Sequence, residues 1–132
     1  MRICLVTIAL VVVACNGSGP GSEADDVGVG GECSNDSDCT AMDTDGGDLQ
    51  CLTQFAGGYC GLLGCDVNED CPQGSSCVIH DDGDNYCFLD CTDKEDCNLN
   101  RSPDSESNCS ANIEYADPET EGKACVPPSS GR

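Results

Sequence analysis

The sequence has little of what either catalysis or a conventional core requires. It has no tryptophan, two phenylalanines, three tyrosines, a single histidine (His80), and 5 basic against 25 acidic residues. One histidine excludes a multi-histidine metal centre and leaves little for a nucleophilic triad. The net charge of −20 argues against nucleic-acid binding, because each phosphate contact requires a cationic side chain.

Aliphatic side chains are also scarce, whereas cysteine is abundant. From Glu32 to Arg132 only 13 residues are Leu, Ile, Val or Phe, and the net charge of that stretch is −18. Such a composition is typical of a disordered chain. Disulfides stabilise a fold by roughly 2–4 kcal/mol each, and the chain has 14 cysteines. We therefore expect a small disulfide-rich fold with little regular secondary structure, built from short β-hairpins and turns.

Residues 1–14 carry one positive charge, followed by an apolar run that is shorter than the roughly 20 residues of a membrane-spanning helix. This pattern predicts a signal peptide, and the polar sequence beyond it predicts no further membrane span. The segment Val12-Val13-Ala14-Cys15 resembles the lipobox of bacterial lipoproteins. That resemblance implies cleavage before Cys15, a diacylglycerol on its thiol and an acyl chain, such as palmitate, on its amine. An ordinary signal peptidase cutting after Ala14 is the alternative, and it predicts a secreted protein.

The number of cysteines favours the lipid anchor. Loss of Cys4 with the signal peptide leaves an odd number of thiols, which is a liability in an oxidising compartment. Lipidation of Cys15 removes the odd one, and six disulfides can then form. Asn16 is not the aspartate that retains lipoproteins at the inner membrane, so we expect anchoring in the outer membrane of the cell envelope. The expected disulfide cysteines are Cys33, Cys39, Cys51, Cys60, Cys65, Cys71, Cys77, Cys87, Cys91, Cys97, Cys109 and Cys125.

The spacing of these cysteines repeats three times. Residues 15–31 are rich in glycine and serine and predict a flexible linker to the lipid anchor. Three four-cysteine modules follow at 32–62, 63–88 and 89–126, with a C-terminal tail at 127–132. Each module opens with Cys-x5-Cys and has an aspartate directly before its second cysteine: Asp38, Asp70 and Asp96. Four cysteines allow three pairings, of which we prefer first to third and second to fourth.

The second module carries a further resemblance. Its Cys65-x5-Cys71-Pro72-Gln73-Gly74-x-x-Cys77 pattern is similar to cysteine-rich repeats of myxobacterial envelope lipoproteins and, more distantly, to the Dickkopf N-terminal region. Thr40 and Asn98 replace the proline in the other modules. The resemblance implies an extracellular binding or spacer unit and no catalytic residues.

Aspartates around glycine turns are the other abundant chemistry. Clusters at 43–48, 66–70 and 80–85 offer the oxygen ligands that calcium prefers, although the first fails as an EF-hand because Ala41 and Leu52 occupy ligand positions. Solvated turn carboxylates are the competing interpretation. His80 lies near Ser75 and Ser76 in sequence, but without a nucleophile elbow we expect an exposed loop histidine. We also expect short strands around Phe55, Tyr59, Val78 and Tyr86, and one helical turn over 110–114.

These observations predict a membrane-anchored bacterial lipoprotein with an acidic, disulfide-stabilised extracytoplasmic module that binds or has a structural role. It is expected to be no enzyme, to need no cofactor, to have the membrane and an envelope protein or glycan as partners, and not to bind nucleic acid. One alternative is a calcium-dependent ligand-binding or adhesion module. Another is a secreted inhibitor-like protein presenting Leu62 and Leu63.

Overall fold

The computed structural model describes residues 28–39 and 49–130. The predicted signal peptide, Cys15 and the aspartate cluster at 43–48 lie outside these ranges. The described chain forms seven short strands: β1 Gln50–Cys51, β2 Cys60–Leu63, β3 Ser75–Ile79, β4 Asn85–Cys91, β5 Asn108–Ser110, β6 Glu114–Tyr115 and β7 Lys123–Val126. Single 3-10 turns occur at Asp36–Asp38, Asn68–Asp70, Asp96–Asn98 and Pro103–Ser105. Within the described ranges, no helix is long and apolar enough to cross a membrane.

All strand pairs are antiparallel and belong to one seven-stranded sheet. Strand β4 is its centre, because it pairs with β2, β3 and β7. The outer pairs are β1 with β2, β3 with β6, and β5 with β7. The two longest strands contain Val78 and Ile79 in β3 and Tyr86 and Phe88 in β4, which are β-branched and aromatic residues that favour a pleated, half-buried surface. Between them the chain turns through Gly83, whose φ is 90° and favours glycine.

Six disulfides hold this sheet, and in each module they join the first cysteine to the third and the second to the fourth, which is the preferred pairing. The bonds are Cys33–Cys51, Cys39–Cys60, Cys65–Cys77, Cys71–Cys87, Cys91–Cys109 and Cys97–Cys125. The prediction of a small disulfide-rich fold with short antiparallel strands is confirmed.

Two strands cross the boundaries between the predicted modules. Strand β2 continues from residue 62 to 63, and β4 continues from 88 to 89. Strand β2 then pairs with β4, and β3 with β6, so backbone hydrogen bonds connect each cysteine repeat to the others. The three repeats are therefore parts of a single sheet.

The helical turn expected over 110–114 is wrong. Ser110 ends β5 opposite Ala124, and Glu114 begins β6 opposite Ile79. Both ends of this segment pair with strands from other parts of the chain, and this pairing overrides the local preference for a turn of helix.

The core is an aromatic cluster surrounded by cystines. Phe55, Tyr59, Tyr86 and Phe88 are at most 2% exposed, and their contacting rings have centroids 5.2–6.2 Å apart. Most of these pairs meet edge to face, an arrangement that the charge distribution of the rings favours. Four of the five Phe and Tyr residues in the chain thus contribute to one core.

Segments at both ends of the described chain are packed against the first module. Val29 is 2% exposed, the Gly30 amide donates to the Cys60 carbonyl, and the Cys60 amide donates to the Gly31 carbonyl. Residues 28–31, at the end of the predicted linker, therefore belong to the packed part. In the predicted tail, the Pro128 carbonyl accepts from the Ala56 amide.

Candidate functional site

The aspartate that precedes the second cysteine has the same contacts in every repeat. Its Oδ2 accepts hydrogen bonds from the backbone amides of the residues three and four positions earlier, at donor–acceptor distances of 2.8–3.2 Å. Each carboxylate thereby holds the turn around the second cysteine, where a one-turn 3-10 segment ends directly before Cys39 and Cys71 and includes Cys97. These bonds favour the ionised form, so the pKa values of Asp70 and Asp96 are lowered. The shared aspartates are scaffold residues.

A second contact ties the same turn to the third cysteine. Asp36 Oδ1 accepts from the Cys51 amide at 2.8 Å, and Asn68 Oδ1 accepts from the Cys77 amide at 2.9 Å. Both acceptors lie three residues after the first cysteine of their repeat. Lysine occupies this position in the third repeat and cannot accept such a bond, so a different asparagine, Asn98, binds the Ser107 amide there.

One aspartate of the third cluster, Asp82, also serves the fold. Asp82 Oδ1 accepts from the Asp84 amide at 3.0 Å, while its Oδ2 accepts from the Tyr86 hydroxyl at 2.7 Å. Burial raises the pKa of Tyr86 to about 12, so this hydroxyl keeps its proton at neutral pH. In residues 28–39 and 49–130, the groups whose ligand atoms converge within 4.8 Å are cysteine sulfurs, and all of these are in disulfides. Within these ranges, the second and third clusters therefore do not bring three carboxylate ligands together.

Arg101 is a buried cation that the sequence did not single out. Its Nε donates to the Ser105 carbonyl at 2.7 Å, and its two other nitrogens donate to the carbonyls of Gly30, Gly58 and Ala56 at 2.7–3.1 Å. Burial lowers its pKa, but the guanidinium stays charged at neutral pH. One side chain therefore connects the N-terminal packed segment, the first repeat and the third repeat.

Tyr59 lies beneath this arginine, whose guanidinium carbon is 5.5 Å from the centroid of the ring. The Tyr59 hydroxyl accepts from the Leu89 amide and donates to the Cys125 carbonyl. Burial raises the pKa of Tyr59 well above its ordinary value. Tyr59 and Arg101 together form a buried polar junction and present no reactive group to solvent.

His80 is not the exposed loop histidine that we expected. Its ring stacks on Phe55 with centroids 5.3 Å apart and meets Tyr86 and Phe88 edge to face, because the β3–β4 turn folds it over the aromatic cluster. Its Nδ1 accepts from the Asp81 amide at 2.7 Å, which leaves the ring proton on Nε2. That Nε2 atom is buried and has no hydrogen-bond partner.

The neighbouring serines do not form a nucleophilic pair with this histidine. Ser75 Oγ donates to the Pro72 carbonyl at 2.6 Å, and Ser76 Oγ donates to Asp90 Oδ1 at 2.7 Å. Both serines are buried. Their hydroxyls are engaged in these hydrogen bonds and therefore have a structural role.

A groove of about 560 Å³ lies beside His80. This volume falls in the range of ligand-binding clefts, roughly 300–1,000 Å³. Its lining contains both apolar and polar residues. The apolar residues are Val78, Ile79, Phe88, Ile113 and Val126, and the polar and acidic ones include Asp81, Asn108, Asn112 and Glu114. We refer to it below as the His80 groove.

Leu62 and Leu63, the apolar pair considered for an inhibitory loop, lie within β2. They stand opposite Cys87 and Tyr86 of β4, and Leu63 is 48% exposed. The pair is part of the sheet surface and not of a projecting loop.

No protein-family model matches the chain, and neither curated proteins nor solved structures gave a significant match. Only the geometry described above therefore indicates what the candidate site can do.

Proposed function

We propose that this chain is a lipid-anchored lipoprotein of the bacterial cell envelope, whose acidic, disulfide-stapled module acts by binding and not by catalysis. The second half of the proposal is supported by one observation: the repeated aspartates, the cysteines and His80 are all engaged in contacts within the protein. The repeated aspartates bind backbone amides, twelve cysteines form six disulfides, and His80 is stacked on Phe55.

The anchor half of the proposal is supported by the sequence. The lipobox-like segment ending at Cys15 and the even number of remaining cysteines both favour lipidation of this thiol. Stable membrane attachment requires more than one acyl chain, since each buried CH₂ contributes about 0.8 kcal/mol. The disulfides agree with an oxidising compartment outside the cytoplasm.

The test is the intact mass of the protein purified from its native membrane fraction and alkylated with and without reduction. We expect a lipid adduct at Cys15, no alkylation before reduction and twelve alkylated cysteines after it. Cys15→Ser should abolish the adduct, whereas Cys4→Ser should leave it unchanged because Cys4 departs with the signal peptide. An unmodified N-terminus would contradict the anchor, and alkylation without reduction would contradict the stapled module.

A further inference from the structure

The His80 groove carries two carboxylates that the fold does not use. Asp81 and Glu114 are exposed and line the groove. Neither carboxylate accepts a hydrogen bond or forms an ion pair with any residue in the described ranges, in contrast to Asp70 and Asp82, whose oxygens bind amides. Glu114 lies opposite Ile79 in the β3–β6 pair, and Asp81 is two residues beyond Ile79. Both charges therefore stand at the same end of β3.

Among the described residues, no lysine or arginine lines the groove. Lys94 pairs with Glu106 at 2.7 Å, and Arg101 is buried among backbone carbonyls. With a net charge of −20, the surface attracts positively charged partners over a distance of about a Debye length. A cationic partner would supply the charge that the described lining of the groove lacks.

The lining of the groove also includes apolar residues. Ile79, Ile113 and Val126 line it and are partly exposed, so an apolar side chain of a bound molecule would be removed from water against them. The ring of His80 also lines the groove.

The strands that line the groove leave backbone groups open. Among the described strands, β6 pairs with β3 alone and β5 pairs with β7 alone. An unpaired strand edge is a template for an added extended peptide. A peptide supplies both the carbonyl oxygens and the alternating side chains that such an edge accepts.

We propose that the His80 groove binds a basic, extended segment of a partner protein, in which an apolar side chain contacts the apolar lining residues and flanking lysine or arginine residues meet Asp81 and Glu114. This inference rests on the proposed binding function and specifies its partner. A protein that is lipidated and stapled but ignores basic peptides would overturn the inference alone. An unlipidated protein that binds them would overturn only the anchor.

The experiment titrates the full-length protein, solubilised in a non-ionic detergent, with the peptide acetyl-Lys-Ser-Leu-Ser-Lys-amide. Alternate side chains of an extended segment share a face, so the leucine and both lysines point to the groove. Backbone amide NMR shifts report the contact. We expect saturable shifts confined to residues 78–81, 108–114 and 126, with little response to acetyl-Glu-Ser-Leu-Ser-Glu-amide or to acetyl-Lys-Ser-Ser-Ser-Lys-amide.

Paired variants distinguish recognition from general attraction to an acidic surface. The double variant Asp81→Asn/Glu114→Gln should weaken binding about fivefold, as expected for two exposed ion pairs. The control Glu119→Gln/Glu121→Gln makes the same change in charge at exposed residues outside the groove and should stay within about twofold of the native protein. Equal losses in both variants, shifts spread over the whole surface, or no saturable binding would each overturn the proposal. Unchanged melting temperatures show that each variant is folded.

Discussion

At the scale of single residues, each repeated aspartate binds the backbone amides near the start of its repeat. The carboxylates of Asp38, Asp70 and Asp96 accept two backbone amide protons each, which are groups that a one-turn 3-10 segment cannot satisfy by itself. The negative charge makes these bonds stronger than those to a neutral acceptor. The repeat therefore needs an ionised acid at this position.

Asp70 and Asp96 should make the stability of the module depend on pH. Their lowered pKa values mean that the folded state favours the carboxylate. The stabilisation is complete above the ordinary aspartate value of about 3.9 and is lost as the pH falls through the folded pKa. Asp70→Asn should lower the melting temperature by a few degrees at pH 7, and the difference from the native protein should close as the pH falls through the lowered pKa of the folded state. Glu69→Gln, at an exposed neighbour, is the control, and an equal effect there would contradict this role.

Arg101 should be far more sensitive than its position in a polar loop suggests. Arg101→Lys cannot reach all four carbonyls that the guanidinium binds, and those left unpaired remain buried. We expect a loss of about 2–4 kcal/mol in the free energy of unfolding, measured by denaturant with disulfides intact. Lys94→Arg at the surface should change it by less than about 0.5 kcal/mol. A similarly small change for Arg101→Lys would show that the buried junction is not needed.

Residue roles were only partly predictable from the sequence. The repeat of Asp38, Asp70 and Asp96 was visible because it lies next to the cysteines, but its hydrogen bonds were not. Arg101 gave no signal, because its acceptors at Gly30, Ala56 and Gly58 are more than 40 residues away in the chain. His80 was misjudged for the same reason, since its stacking partner Phe55 comes from another repeat.

At the scale of elements, β4 connects the repeats. It pairs with β2 of the first repeat, β3 of the second and β7 of the third, and its Tyr86 and Phe88 belong to the aromatic cluster. The disulfide pairing that we preferred is the one observed, although four cysteines allow three pairings and the spacing does not decide between them. The spacing could not predict which strands pair between repeats, because pairing of distant strands depends on long-range contacts.

Phe88 of β4 should be the most sensitive core position. It is fully buried and contacts Phe55, Tyr59, Tyr86 and His80. Phe88→Ala should lower the free energy of unfolding by about 3–5 kcal/mol, and Phe88→Leu should lower it by less, because more of the side-chain volume is kept. Leu99→Ala, at a residue 74% exposed, is the control and should cost less than about 0.5 kcal/mol. Comparable effects at Phe88 and Leu99 would argue against an aromatic core.

At the scale of the whole molecule, the fold combines a high negative charge with a small core. The charge of −20 opposes compaction through self-repulsion, and cross-links counter it by restricting the unfolded chain. The predicted fold class was correct because it depended only on this balance between charge repulsion and cross-links. Composition and the number of cysteines reveal that balance without any knowledge of strand order.

Removal of calcium by a chelator should leave the stability of the module unchanged. Asp70 of the second cluster and Asp82 of the third bind protein groups, so we expect the same melting temperature within about one degree in EDTA and in millimolar calcium, a concentration at which extracellular calcium modules bind. Thermal unfolding followed by circular dichroism measures it. A rise of several degrees with calcium would support the alternative of a calcium-dependent module and direct attention to residues 43–48.

Reduction of the disulfides tests the central claim, that cross-links and not the hydrophobic core hold the module together. The measurement is the near-ultraviolet circular dichroism of the native protein and of the reduced and alkylated protein at neutral pH, together with amide NMR dispersion. We predict that the reduced protein loses the signal of its packed tyrosines and the dispersion of its amide resonances throughout residues 28–39 and 49–130. A reduced chain that keeps both would show that the aromatic core suffices without disulfides, and would contradict this account.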